Sequence, residues 1–248
     1  PALLETTRVF ECLSLGANVV SETALDQAAH QHLDGIVQFV PENDIDAMVN
    51  AVRDRLTANE SITAGAEVFQ TTKFMLFRAL LGMGILSPDE FVSLTTWYKL
   101  PSDKLALSMP EDTVRRQYCL DNLRDGYAIF PGLRLQTGWI GCGLSYWYMA
   151  LKALKQSMDQ LLIHEDDAEF FDGHDARLAR ITSYLRDNLD KWDVFSGLVS
   201  DISPDTQILA LDPIDDTDAV YLDRLTGLVF GIYRKTALAK MAAWDHSD

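Results

Sequence analysis

Apolar residues recur along this chain in two rhythms, one helical and one of short compact runs. Ile45, Met48, Val49, Val52 and Leu56 fall on one helical face, with Asn43 placed to cap it. Val68, Thr72, Met75, Leu76 and Ala79 repeat that spacing, so 61–100 reads as helical. Ser87-Pro88-Asp89-Glu90 predicts a helix start, with Ser as N-cap, Pro at N1 and Glu at N3. Before these lie a helix over Thr7–Gly16, a strand over Asn18–Glu22, a helix over Ala24–Leu33 stopped at Gly35, and a strand over Ile36–Val40. After Lys104 the runs lengthen. Lys104–Met109 reads as a buried strand, and Asp112 or Thr113 opens a helix carrying Arg115 and Arg116. Tyr127–Phe130 is a further strand. Gly138 starts a long helix with Ile140, Leu144, Trp147, Leu151 and Leu154 on one face, and Asp159–His164 is the next strand. Alternating strands and helices predict an α/β chain. The expected architecture is a Rossmann-type, mainly parallel sheet flanked by helices, preceded by a small α/β plus helical N-terminal unit. The expected division is 1–100 and 101–248.

Charge narrows the partners. The 248 residues carry 21 basic against 37 acidic side chains, a net of −16. A phosphate backbone wants a basic stripe, so nucleic acid is not an expected partner. An anionic membrane surface is disfavoured for the same reason. The apolar run over Phe74–Leu86 is too short to span a bilayer and is interrupted by Arg78, Gly82 and Gly84. PALLETTRVFE has no basic region followed by an apolar one, so no secretory leader is expected. Cys12, Cys119 and Cys142 are odd in number and widely spaced, which fits a reducing, cytoplasmic setting better than a disulfide framework.

The strand ending at His164 runs straight into Glu165-Asp166-Asp167. Open α/β sheets bind ligands at the C-terminal ends of their strands. Adjacent carboxylates there repel one another, and Mg²⁺ or Mn²⁺ bridged to a diphosphate would relieve that repulsion. A solvated acidic loop is the competing reading. His164 and His174 flank the motif as further candidate contacts. Arg115 and Arg116 are candidates for phosphate, because Arg makes charge-assisted bidentate bonds to it. The glycines at 138 and 141 would let backbone approach a nucleotide, with plain helix packing as the alternative.

Several segments resemble glycosyltransferase family 25, the lipopolysaccharide-type glycosyltransferases. They are Leu105–Met109 with Arg115-Arg116, Thr137-Gly-Trp-Ile-Gly141-Cys-Gly-Leu-Ser145, Leu161-Leu-Ile-His-Glu-Asp-Asp-Ala168, Lys191-Trp192-Asp193, and Gly227–Ala237. The resemblance covers Lys104 to Asp248. Tyr146 departs from it, standing where the family usually has His. Residues 1–56 resemble the C-terminal end of a GT-B glycosyltransferase, through Arg8–Glu22 and Gly35…Phe39-Val40-Pro41. The family 25 resemblance implies a GT-A-like fold and a UDP-linked sugar donor. The acceptor would be a glycan or lipopolysaccharide, and a divalent metal would sit at Asp166 and Asp167. Glu165, Arg115, Arg116, Gly138 and Gly141 would then serve the donor. An inverting transfer needs a base, for which Asp215, Asp216 and Asp218 are available; Asp216 is carried forward as catalytic beside Asp167. Two other readings stay open: a non-catalytic glycosyltransferase-like binding module, and metal-dependent phosphohydrolase chemistry on the same carboxylates.

Overall fold

A computed structural model of the chain describes residues 3–4, 6–15, 17–57, 63–214, 217–227 and 229–245. The chain packs as two compact units, Pro1–Phe77 and Arg78–Asp248. The first contains α1 (Thr6–Ser14), β1 (Val19–Glu22), a 3₁₀ segment (Gln27–Leu33), β2 (Val37–Val40) and α2 (Ile45–Thr57). The strands pair in parallel, Val19 opposite Val37 and Glu22 opposite Val40, as the strand–helix–strand pattern predicts. Val9 and Leu13 of α1 close over Leu33 and Val37 to form its core.

Two local expectations are corrected in this unit. The helix expected over Ala24–Leu33 is instead a 3₁₀ segment with a break at His30. Asp26 is the reason: its carboxylate accepts the Leu4 N–H at 3.1 Å and pairs with His30 at 2.9 Å, and does not cap a helix. Such local side-chain bonds compete with the helical pattern. Gly35, at φ 81°, then turns the chain into β2, a conformation that favours glycine. In α2 the cap is Asp44, whose carboxylate accepts the Ala47 N–H at 2.8 Å, and not Asn43. Of the apolar stripe on α2, Ile45, Val49, Val52 and Leu56 are exposed, and Ala51 is the buried residue. Gly16, the expected stop of the first helix, lies outside the described residues.

A long helix, α3 (Thr63–Gly82), runs across the division. Beyond it come α4 (Pro88–Leu94), β3 (Lys104–Ser108), α5 (Thr113–Asp121), β4 (Ala128–Pro131), α6 (Gly138–Lys155) and β5 (Gln160–Glu165). These are followed by α7 (His174–Asp187), β6 (Val194–Ser196), β7 (Ile208–Ile214), β8 (Thr217–Leu222), β9 (Phe230–Arg234) and α8 (Lys235–Ala242). The capping box at Ser87 and Glu90 is formed as predicted. The stretch Arg78–Leu100, expected with the N-terminal unit, packs in the second. The Phe91 ring lies 5.1 Å from Tyr148, the Tyr148 hydroxyl donates to Thr95 at 2.9 Å, and the Leu100 N–H donates to Gln156.

The main sheet has the order β4-β3-β5-β9-β6. Strands β3, β4 and β5 are parallel, and β9 is antiparallel to both β5 and β6. Four strands therefore point one way and β9 alone is reversed. Strands β7 and β8 form a separate antiparallel ribbon. Side chains alternate across β5. Leu162 joins Ile232, Phe230, Trp192 and Leu185 of α7 on one face. On the other face Tyr233, the register partner of Leu161, packs edge-to-face against Tyr146 of α6. Helix α6 is buried all round from Leu144 to Ala150, more than the single predicted face, as suits a helix apolar on every side.

Candidate functional site

The connection β3–α5–β4 leaves β3 toward one edge of the sheet, and β4–α6–β5 returns past it to the other side. Such a reversal of winding opens a crevice outside the C-terminal ends of the two central strands, here β3 and β5. Asp166 and Asp167 are the two residues that follow β5, so the sequence expectation of carboxylates at a strand's C-terminal end holds.

The three acidic residues do not act as one cluster. Glu165, the last residue of β5, contacts Cys142 of α6, whereas Asp166, in the turn that follows, pairs with Arg115 of α5. Glu165 is half-buried, 3.9 Å from Cys142 Sγ of α6. Burial, then the charge of Asp167, pushes its pKa up. Tyr146 and Tyr233 stand beside it, hydrogen-bonded to each other and buried. Burial pushes Cys142 up to about 11, and Glu165 adds to it. Tyr233 reaches this cluster by lying over Gly231, where a Cβ would stand 2.7 Å from its hydroxyl. Glu165 thus ends a buried protic cluster of Cys142, Tyr146 and Tyr233.

Asp166 and Asp167 converge elsewhere. One nitrogen of Arg115, Nη2, lies 2.5 Å from Asp166 Oδ1 and 2.9 Å from Asp167 Oδ2. Asp166 is only 8% exposed, whereas Asp167 and Arg115 are open to solvent. Burial opposes the Arg115 charge, but Asp166 and then Asp167 outweigh it and raise its pKa. The repulsion expected between the two aspartates is therefore relieved by a guanidinium. Two hard carboxylate oxygens aimed at one cationic point are also a donor set that suits Mg²⁺ or Mn²⁺. No group of three or more His, Cys, Asp or Glu that could hold a metal is found among the described residues.

Helix α5 stands over this point because Asp112 caps it, its carboxylate accepting the Arg115 N–H at 3.1 Å. The loop leading into α5 is held by Arg78, which forks onto Glu111 at 2.6 and 2.8 Å and donates to the Gly132 carbonyl at 2.6 Å. Arg116, next along, buries Nη1 without a hydrogen-bond partner among the described residues. Ser108 Oγ, at the end of β3, is likewise buried and unpartnered. The parallel register that sets Leu107 against Glu165 puts Ser108 beside Asp166 on the same sheet face. Cys119 of α5 lies close enough to feel the Asp166 charge; burial first, then Asp166, raises its pKa.

The other expected residues fall in different places. Gly138 is exposed at the start of α6, with open space where a Cβ would stand. Gly141 is packed by its own chain: a Cβ there would meet the Leu133 carbonyl at 2.7 Å. Its missing side chain is spent on the close approach of α6 to the loop after β4. His164 and His174 belong to an aromatic layer with Tyr127, Phe170 and Phe230, where burial lowers both pKa values. Asp193, before β6, lies at the opposite edge of the sheet and binds Thr236 and Lys240. Asp215 and Asp216 lie outside the described residues; Asp218 is exposed on β8, opposite Pro213. Arg78, Ser108 and Cys119 were not anticipated. Ser108 alone carried a signal, as the polar end of an apolar strand next to the acidic one. Compared with protein-family models and with curated proteins, the chain matches none.

Proposed function

We propose that this protein is a glycosyltransferase that uses a UDP-linked sugar donor with a glycan or lipopolysaccharide acceptor. One observation carries the reading: two carboxylate oxygens converge on a single cationic point in the crevice between β3 and β5. That is where an α/β sheet receives a ligand, and two carboxylates with open positions are what a metal-bound diphosphate needs. Asp166 and Asp167 would hold a divalent ion. When bound, the ion would neutralise charge on the departing nucleoside diphosphate as a Lewis acid. Arg115, at that point, and Arg116, its neighbour on α5, would bind phosphate oxygens, Arg116 through Nη1, which has no hydrogen-bond partner among the described residues. Glu165 contacts Cys142 of α6, although the charges of the two aspartates still reach it. Its role would be to fix the end of β5 through Cys142 and the tyrosines.

Calorimetric titration of UDP, with and without Mn²⁺, tests the reading. Binding that strengthens with Mn²⁺ is expected. Absence of UDP binding in both conditions would remove the donor assignment. A non-catalytic glycosyltransferase-like module would then lead, a reading favoured by one observation: the guanidinium of Arg115 already pairs with both carboxylates.

A further inference from the structure

The guanidinium of Arg115 and a bridging divalent ion make the same demand on the same two oxygens. Nη2 lies within 2.9 Å of both carboxylates, and an ion coordinated there would sit about 2.1 Å from each oxygen, so both cannot be seated at once. Asp166 is buried, and a buried charge without a partner is strongly destabilising, so the ionised carboxylate favours a seated cation, either the guanidinium or the metal. The Arg115 side chain is half-exposed on α5 and can leave without disturbing the core. Ser108 Oγ, one register step beyond the Leu107–Glu165 pair and so level with Asp166, is buried and has no hydrogen-bond partner among the described residues. Such a donor points to an oxygen-bearing ligand that completes the site.

We propose that Arg115 is an interlock: its guanidinium occupies the divalent-cation seat between Asp166 and Asp167 and moves to phosphate oxygens when a cation–diphosphate pair arrives. The diphosphate half rests on the nucleotide-sugar reading; the competition between Arg115 and a cation does not. The consequence is mutual dependence. Free metal must first displace an intramolecular ion pair, whereas metal arriving with a diphosphate gives the displaced arginine a new partner. The two ligands therefore strengthen each other's binding.

The test is titration of Mn²⁺ alone into the full chain and into Arg115→Met, by calorimetry and by the Mn²⁺ electron-spin signal. If the guanidinium fills the seat for nine-tenths of the time or more, its removal tightens Mn²⁺ binding by about tenfold or more. The same variant should bind UDP in saturating Mn²⁺ more weakly than the parent, because the phosphate partner is gone. The gain in Mn²⁺ affinity should vanish in Arg115→Met/Asp167→Asn; a gain that persists there puts the ion elsewhere and overturns the proposal. Equal Mn²⁺ affinity in parent and Arg115→Met also overturns it, and leaves the donor reading intact if UDP–Mn²⁺ still binds the parent. A tighter Mn²⁺ site with no UDP binding to either protein supports the interlock and removes the nucleotide-sugar reading.

Discussion

Lys152 offers a quantitative test of the fold, because it is a cation in the interior of α6. It is 2% exposed, donates to the Thr95 carbonyl, and lies 5.1 Å from the centre of the Tyr148 ring. Burial, with help from Lys155, pushes its pKa from 10.5 down to about 8. At about 1.4 kcal/mol per pKa unit, that fall corresponds to about 3 kcal/mol against the charged form. The Thr95 carbonyl and the Tyr148 face both favour the charge, so about half of that is carried forward. Below pH 8 the lysine is charged in both states and the full penalty stands. Between about pH 8 and 10.5 the folded chain has lost the proton while the unfolded chain keeps it, so stability rises with pH through this window. Lys152→Met removes the charge at similar volume, gaining about 1.5 kcal/mol and losing about 1 kcal/mol for the bond to Thr95. The variant should therefore match or slightly exceed the parent at pH 7. It should fall behind by about 1–2 kcal/mol at pH 10, since only the parent climbs. Urea denaturation of both proteins at pH 7, 8, 9 and 10 measures this. Other groups titrate equally in the two and cancel in the difference. A variant that loses more than about 2 kcal/mol at pH 7, or a difference that does not change with pH, would refute the reasoning.

Arg78→Met removes three charge-assisted hydrogen bonds, two of them to the Glu111 carboxylate, but Glu111 is partly solvated. A loss of about 2–4 kcal/mol is expected, seen in calorimetry as a melting-point drop of about 5–12 °C; a drop under 2 °C would mean that the fork contributes nothing. Glu165→Gln should raise the melting temperature at pH 7 and not at pH 4. Burial and Asp167 raise the folded pKa of Glu165, so the parent loses stability as pH climbs from its ordinary 4.5 through that raised value, and the glutamine does not. Asp167→Asn should fold normally, because the side chain is open to solvent, and should weaken UDP–Mn²⁺ binding by about 30- to 150-fold, as loss of one charged contact of about 2–3 kcal/mol implies. Parent-like binding by that variant would end the carboxylate-site reading.

Much of the frame can be read from the chain because the signals are local. The strands at Val19–Glu22, Val37–Val40, Lys104–Ser108 and Gln160–Glu165 are short apolar runs bounded by polar residues. The box at Ser87 and Glu90 is complete within four residues. The reversal of β9 was not legible, since Phe230–Arg234 buries the same side chains whichever way the strand runs. Within the candidate site, the expected strand stopped at His164, so the sequence reading did not separate Glu165, which ends β5, from Asp166 in the turn beyond it. Arg115 was noticed as a phosphate ligand, but its partners follow β5 while it follows β3, a proximity only the crossing of the sheet creates. Arg78 reads in the sequence as an interruption of an apolar run; Glu111 and Gly132, its partners, are 33 and 54 residues away.

The reversed strand also governs when the sheet can be completed. β9 is the last strand among the described residues, yet it lies between β5 and β6. Until Phe230–Arg234 arrives, β5 presents an open edge and the three residues of β6 have no neighbour to pair with. As synthesis proceeds from the N-terminus, the nascent chain would hold the hydrophobic β5, Leu161–Ile163, as an unprotected edge for more than sixty residues. A chain truncated before Phe230 should therefore associate edge to edge. The sequence distance between β5 and β9 makes closure of the sheet the slow, late step of folding.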